Sequence, residues 1–385
     1  MHTTERMLGM TGAVAARRAA GRAAAALALM AAALGAGTPA HAQAGYTAID
    51  LTPDAGWAFA RGADGIVSGY AGATSSTTHA MLWGADGALD VHPAFVTDPA
   101  TGLGGRSVIN GAGGGLQVGS AAGPGSANRS VPTVWRGDAA SATALAIPFV
   151  NNGAEALATD GVQIAGWSTA LDRDGTTFGP THAVVWDAST GAAIDLGDGG
   201  NGARANGVAN GQQVGFVVKS QAVAAVWSSS AKSLVTMNPN GAVLSVANAT
   251  DGTRQAGYAG YDIRVRQEAA KGNKTQRFTW ATTWQGTAAS AQNIHPAPVN
   301  ANVAFTNSWA LGMSSTQIAG YATEANGVNH AIVWNADLSS VDLNAFLPAG
   351  FTAAQAYAVD ANGTVAGVMV DAAGHRHAVA WVPNA

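Results

Sequence analysis

Residues 79–83 read HAMLW. Side chains alternate along an extended strand, so His79, Met81 and Trp83 point to one face and Ala80 and Leu82 to the other. Both faces are mostly apolar, which places the strand in a sheet covered on both sides. The segment returns as VPTVW (131–135), HAVVW (182–186), VAAVW (223–227), WATTW (280–284), HAIVW (330–334) and HAVAW (377–381), seven copies in all. Their tryptophans are separated by 52, 51, 41, 57, 50 and 47 residues. A period of that size marks a repeat architecture, and the variation falls to the loops.

Three further segments accompany each copy. Before it comes a strand closed by glycine: GIVSGY with Gly69, LQVGS with Gly119, QIAGW with Gly166, QQVGF with Gly215, RQAGY with Gly257, QIAGY with Gly320 and TVAGV with Gly367. An aromatic follows that glycine in five copies, as Tyr70, Trp167, Phe216, Tyr258 and Tyr321. Earlier still lie AFARGADG, ALATDG, ANGVANG and AYAVDANG, joined onward through Asp64-Gly65, Asp160-Gly161, Asn210-Gly211 or Asn362-Gly363. Such dipeptides supply the positive φ of a tight hairpin. After the tryptophan comes a short segment such as GALDV (87–91), AAIDL (192–196) or SSVDL (339–343). Each unit is therefore four strands, a, b, c and d, in a meander.

Four-stranded antiparallel sheets that are apolar on both faces must be sandwiched between neighbours, and repetition around an axis gives a β-propeller. A linear solenoid would bury both faces as well, but would need polar caps. The last unit ends at strand c, whereas YTAIDL (46–51) is a d-type segment that follows no tryptophan. The expected fold is all-β: a seven-bladed propeller of four-stranded antiparallel blades, one domain over 43–385. Strand 46–51 is expected to complete the last blade, closing the ring and removing an exposed edge.

The units resemble the HAF repeats of bacterial exported proteins, which carry an Asn/Asp-Gly turn, a Val-x-Gly-aromatic segment, His-Ala-Phe-x-Trp and then Asp-Leu. The resemblance covers essentially all of 46–385. The chain departs from it at the third letter, where Met81, Val184, Ile332 and Val379 stand in place of Phe. His-Ala itself gives way to Val131-Pro132, Val223-Ala224 and Trp280-Ala281 in three copies. The resemblance implies export and repeated β-structure; it carries over no enzymatic activity, because the family is recognised by its repeat rather than by a reaction.

Residues 1–42 have the layout of a secretory signal peptide. Arg17, Arg18 and Arg22 precede the apolar run AAAALALMAAALGAG, and Ala40-His41-Ala42 forms a cleavage site. The general secretory route is favoured over the twin-arginine one, because AAGR after Arg18 lacks a bulky apolar pair. The expected product is secreted or periplasmic, without a membrane span, and monomeric. The chain contains no cysteine, which removes disulfides and thiolate chemistry. A formal net charge of −4 with 11% charged residues argues against nucleic acid or an anionic membrane as partner. The 48% apolar content argues against disorder.

Candidate chemical residues are few. His79, His182, His330 and His377 recur at equivalent positions of different blades, too far apart for one metal, and are read as structural, packed and hydrogen-bonded at the polar end. The recurring tryptophans and the strand-b glycines are likewise read as packing devices. Asp172 and Asp174 in LDRDGTTFG resemble the start of a calcium loop, but the closing Glu is absent and a polar turn is preferred. No cofactor is expected. The widest repeat carries YAGYDIRVRQEAAKGNKTQRFTW (258–280), where IRVRQ alternates and predicts a hairpin arm beyond the blade. Tyr258, Tyr261, Arg264, Arg266 and Arg277 are the candidate ligand-binding residues there, the arginines being suited to carboxylates.

Long connections join b to c (120–130, 168–181, 259–279) and d to a (93–105, 297–307), which in a radial meander open on one face. That face is where binding is expected. The expected function is a non-catalytic binding propeller for a saccharide or a cell-surface component, with a glycan or surface protein as partner. Two alternatives stand beside it: a polysaccharide-acting lyase or hydrolase, and a structural matrix protein. Acids or a His/Tyr/Arg cluster converging on the axis favour the enzyme; an axis of Gly, Ala and Ser opposes it.

Overall fold

The computed structural model describes residues 45–384 except 53–56, 75–76, 148–150, 172–177, 268–271 and 301–302. The expected signal peptide, 1–42, lies outside the described residues, and so do Asp172 and Asp174. The protein is all-β, 59% strand, in a propeller arrangement of four-stranded blades. Five blades are separate antiparallel sheets in the order a-b-c-d, beginning with strands a at Arg106–Gly113, Asn151–Thr159, Ala203–Ala209, Leu244–Thr250 and Phe305–Met313.

The sheet pairing departs from seven separate blades in a closed ring. The remaining eight strands form one sheet, in which a single parallel bridge, Trp57 to Arg376, joins strand a of the first unit (Trp57–Ala63) to strand c of the last (Arg376–Pro383). Tyr46–Asp50 pairs antiparallel with Arg376–Pro383, from Tyr46 opposite Pro383 to Asp50 opposite Val379. The first and last units also share a core, in which Ala58, Ala60 and Trp83 pack with Ala366, Ala378 and Ala380. Similar clusters lie between the other neighbouring units.

The repeated tryptophans fill these seams. Trp135, Trp186, Trp334 and Trp381 are fully buried, each large enough to dominate its cluster. Three also tie one unit to the residues just after the preceding strand d: Trp135 Nε1 donates to the Val91 carbonyl at 2.8 Å, Trp334 Nε1 to that of Ile294 at 2.7 Å, and Trp186 Nε1 to that of Ala146. The a-to-b turns differ in kind. Asn210 (φ 49°) and Gly211 (φ 78°) are both left-handed, the geometry of a two-residue hairpin turn. At Asp160-Gly161 only glycine is left-handed (φ 87°), and the Asp160 carboxylate holds the turn by accepting from the amides of Val162 and Gln163. No helix among the described residues is long and apolar enough to cross a membrane.

Candidate functional site

The site is set by an irregularity repeated in every strand a. The ladder to strand b slips by one residue at Arg61, Asn110, Leu157, Asn206, Asn248, Leu311 and Tyr357. A bulge leaves its extra residue unpaired and re-aims its side chain. All seven bulge residues line one cavity of ≈ 320 Å³, so the strands a converge on a common centre. Beyond them towards the a-to-b turns, the lining is mainly Ala112, Ala158, Gly207, Ala249, Gly312 and Ala358, with Thr159, Val208 and Thr250.

The bulge residues sit in a frame of small residues because the inner strands touch. A Cβ on Gly111 would lie 2.6 Å from the Leu157 carbonyl oxygen, and one on Gly312 2.4 Å from that of Tyr357. Three asparagines fasten adjoining strands: Asn110 Nδ2 donates to the Ala156 carbonyl at 3.0 Å, Asn206 Nδ2 to that of Ala247 at 3.1 Å, and Asn248 Nδ2 to that of Ala310 at 2.8 Å. The strand-b glycines serve the same crowding. At all seven, from Gly69 to Gly367, an added Cβ would stand 1.8–2.2 Å from a strand-a carbonyl oxygen. The reason is close backbone approach.

The aromatic after that glycine lies on the loop side of the bulge ring. Tyr70 pairs there with Phe59, Trp167 with Glu155, Phe216 with Arg204, Tyr258 with Val246 and Tyr321 with Trp309. The Arg61 guanidinium lies 3.9 Å from the centre of the Tyr357 ring, 5.4 Å from that of Phe59 and 6.0 Å from that of Tyr70. Such stacking holds a cation without neutralising it. Its Nη2 is 3.5 Å from the Tyr70 hydroxyl, and its Nε is buried without a partner. Tyr357 donates to Gln355 Oε1 at 2.6 Å.

Burial raises the phenols of Tyr258 and Tyr357, and pushes Tyr321 up to about 12 with help from Tyr357 and Tyr258. These hydroxyls are therefore neutral near pH 7. Burial also raises the Glu155 carboxyl, against the pull of Arg204, the Trp167 indole and Arg106. Arg204 stacks over Trp167 at 4.5 Å.

The structure divides the residues predicted on the arm. Tyr258 belongs to the axial group, close enough to Tyr321 to raise it. Tyr261 packs instead against Trp280, ring centres 5.2 Å apart. Gln255–Gln267 and Gly272–Trp284 form the predicted hairpin along their whole length. Arg277 is held in a bidentate pair by Asp262, at 2.7 and 3.0 Å. Arg264 is exposed opposite Thr275, and Arg266 stands opposite Asn273. The arm thus gathers no shared pocket for these side chains among the described residues.

The four histidines bond within their own sheets: His79 to Asp90 at 2.7 Å, His182 to Asp195 at 3.0 Å, His330 to Asp342 at 2.8 Å and His377 to Asp50 at 2.9 Å. Among the described residues no group of three or more His, Asp or Glu is arranged to hold a metal. Sequence reasoning passed over Arg61, Tyr357, Arg204 and the asparagines. Their signal is a varying residue between two small ones, as in Ala60-Arg61-Gly62, Ala205-Asn206-Gly207 and Ala356-Tyr357-Ala358.

No protein-family model and no characterised protein sequence matches the chain. Among solved structures it is similar to an ulvan lyase of a polysaccharide lyase family bound to GlcA(1-4)Rha3S, at 13% identity and TM-score 0.35, over 72% of this chain and 77% of that one. It is also similar to the Pyrococcus horikoshii acylaminoacyl peptidase, at 10% identity and TM-score 0.29, over 54% of this chain and 41% of the peptidase. The tricorn protease matches at 10% identity and TM-score 0.29, over 81% of this chain and 34% of its own length. At these levels the likenesses carry no assignment of activity.

Proposed function

We propose that the protein is a seven-bladed propeller, with Tyr46–Asp50 as outer strand of the last blade, that binds an acidic saccharide in the loop-side mouth of its axis without turning it over. The lining of one cavity by seven strands a supports the blade count. The core shared by the first and last units supports closure. On this reading the bridge from Trp57 to Arg376 is a local contact between two blades.

The observation that carries the binding function is Arg61, a cation stacked among Phe59, Tyr70 and Tyr357 with a buried, unpartnered Nε. A stacked guanidinium that no carboxylate neutralises among the described residues can form charge-assisted bonds to an acidic ligand. Flat rings beside it suit the apolar faces of a sugar, and the neutral phenols suit its hydroxyls. Export through residues 1–42 fits a saccharide outside the cytoplasm. A second reading, an enzyme acting on polysaccharide, draws support from the convergence of arginine and tyrosine. Against it, the raised phenols are poor bases. Among the described residues Glu155 is the one carboxyl in this group, where a glycosidase needs two.

Calorimetric titration with oligouronates and matched neutral oligosaccharides tests the proposal. Acidic ligands should bind and neutral ones should not, and Arg61→Gln should weaken binding at least about tenfold, the equivalent of roughly 1.4 kcal/mol. Equal binding of neutral sugars, or an indifferent Arg61→Gln variant, would sink it. Release of unsaturated or reducing ends from the same ligands would favour the enzyme.

A further inference from the structure

We infer that the site has a second anion subsite at Arg204, so that the ligand is an acidic oligosaccharide with at least two charged groups. This rests on the acidic saccharide proposed above and extends it to ligand length. Arg204 lies on strand a of one blade, opposite Phe216, and stacks over Trp167 of the preceding blade. No hydrogen bond or close salt bridge holds it among the described residues, although the Glu155 carboxyl lies near enough to interact with its charge. The Trp167 indole beneath it is buried and faces that same carboxyl. Burial raises that carboxyl towards its neutral form, which leaves the Arg204 guanidinium charge and donors to offer an outside anion.

A separate cavity of ≈ 230 Å³ opens beside Arg204, lined also by Thr181, Asn201, Phe216 and Val218. At roughly 30 Å³ for each water in the liquid, it has room for a group far larger than one or two solvent molecules. Its lining combines an aromatic face, a hydroxyl, an amide and a guanidinium, the set that receives a sugar ring bearing an acid. Arg61 and Arg204 stand on strands a of non-adjacent blades, with Asn110 and Leu157 on the two strands between. A monosaccharide meets one of them. A chain entering at Arg61 and leaving past Arg204 meets both, its second contact being made at the high effective concentration that the first creates.

Titration of the mature protein with oligouronates from one to six sugars long, and with sulfated oligosaccharides of equal charge, tests the inference. Affinity should rise with length by at least about tenfold. Arg204→Gln should flatten that rise and leave the affinity for the shortest acid unchanged. Arg204→Lys, which keeps the charge and loses the planar fork, should retain part of the rise; it supplies the reading if the Gln variant is less stable. Steeper gain with the sulfated series would assign the subsite to sulfate esters, and with the uronates to carboxylates. Affinity independent of length, with Arg61→Gln still abolishing binding, would overturn the second subsite and leave the axial one standing. Indifference to Arg61→Gln would overturn both.

Discussion

Asp50 and His377 are 327 residues apart in the chain, and the His377 Nδ1 stands 2.9 Å from Asp50 Oδ2. The same pairing occurs wherever His-Ala begins strand c, since Asp90, Asp195 and Asp342 meet His79, His182 and His330. Where the histidine is replaced, so is the acid. Ala144, Thr236 and Asn293 occupy the positions of Asp in the units with Val131, Val223 and Trp280. The chain therefore records an internal coupling between two strands, and its recurrence at Asp50 is what marks 46–51 as an outer strand of the last unit. Asp50→Ala or His377→Val alone leaves a partly buried polar group without its partner and should cost about 1–3 kcal/mol. The double variant, which recreates the Val131 and Ala144 combination, should cost less than the two together. A double-mutant cycle by urea denaturation measures this, with a coupling of at least about 0.5 kcal/mol expected. Strict additivity would show that the two residues act independently.

Glycines in this chain should respond to alanine according to what a methyl group meets. Gly320→Ala would put a Cβ 1.9 Å from the Trp309 carbonyl oxygen, and Gly166→Ala one 2.0 Å from that of Glu155. Backbone cannot step aside as a flexible side chain can, so each should lose at least about 1–3 kcal/mol. Gly84→Ala would meet only Ile66, at 3.5 Å and ordinary contact distance. It should stay within about 0.5 kcal/mol of the parent. Denaturation midpoints of the three variants decide it.

The repeat, the four strands of each unit and the role of the tryptophans were legible in the sequence because the physics that fixes them is local and periodic. Alternation in HAMLW and the glycine of QIAGW recur at readable intervals. The axial residues were not legible for the opposite reason. Arg61, Leu157 and Tyr357 occupy the position where the repeat varies, and only the bulge in the ladder turns that position towards the axis. On the arm, charge is visible in sequence and pairing is not. Arg277 looked available and is bound to Asp262. The bridge from Trp57 to Arg376 follows from how closely two distant strands approach, which no local pattern encodes.

Removal of residues 262–276 should therefore leave acidic saccharide binding intact. Tyr258, the one predicted arm residue that reaches the axial group among the described residues, precedes the deletion, and the excised part carries Asp262 and Arg264, which is exposed opposite Thr275. The Arg277 pair that the deletion breaks is solvent-exposed, and such pairs are worth about 0–1 kcal/mol. Titration of the shortened protein with an oligouronate should give an affinity within about twofold of the parent, well inside one factor of ten. A loss of tenfold or more would return the arm to the binding site.

Acid should destabilise the protein through His295 and stabilise it through His330. His295 packs against Trp280, accepts from the Ser308 hydroxyl at Nδ1 (2.8 Å) and donates to the Phe305 carbonyl from Nε2 (3.3 Å), an arrangement suited to neutral imidazole. Burial lowers it to about 4 from 6.5. The unfolded chain then takes up a proton that the folded one refuses, so stability falls as pH drops from 6.5 towards 4, by at most roughly 3 kcal/mol. For His330, burial opposes the charge, but Asp342 and Glu324, at 2.8 and 2.7 Å, outweigh it and hold the imidazole above its ordinary value. Its contribution is complete below pH 6.5 and is lost as pH rises through the raised value. Denaturation midpoints between pH 4 and 8 should show His295→Asn removing the acid-side loss, and His330→Asn removing stability mainly on the acid side. A His295→Asn protein that keeps the parent's slope below pH 6.5 would show that the imidazole titrates alike in the folded and unfolded chain.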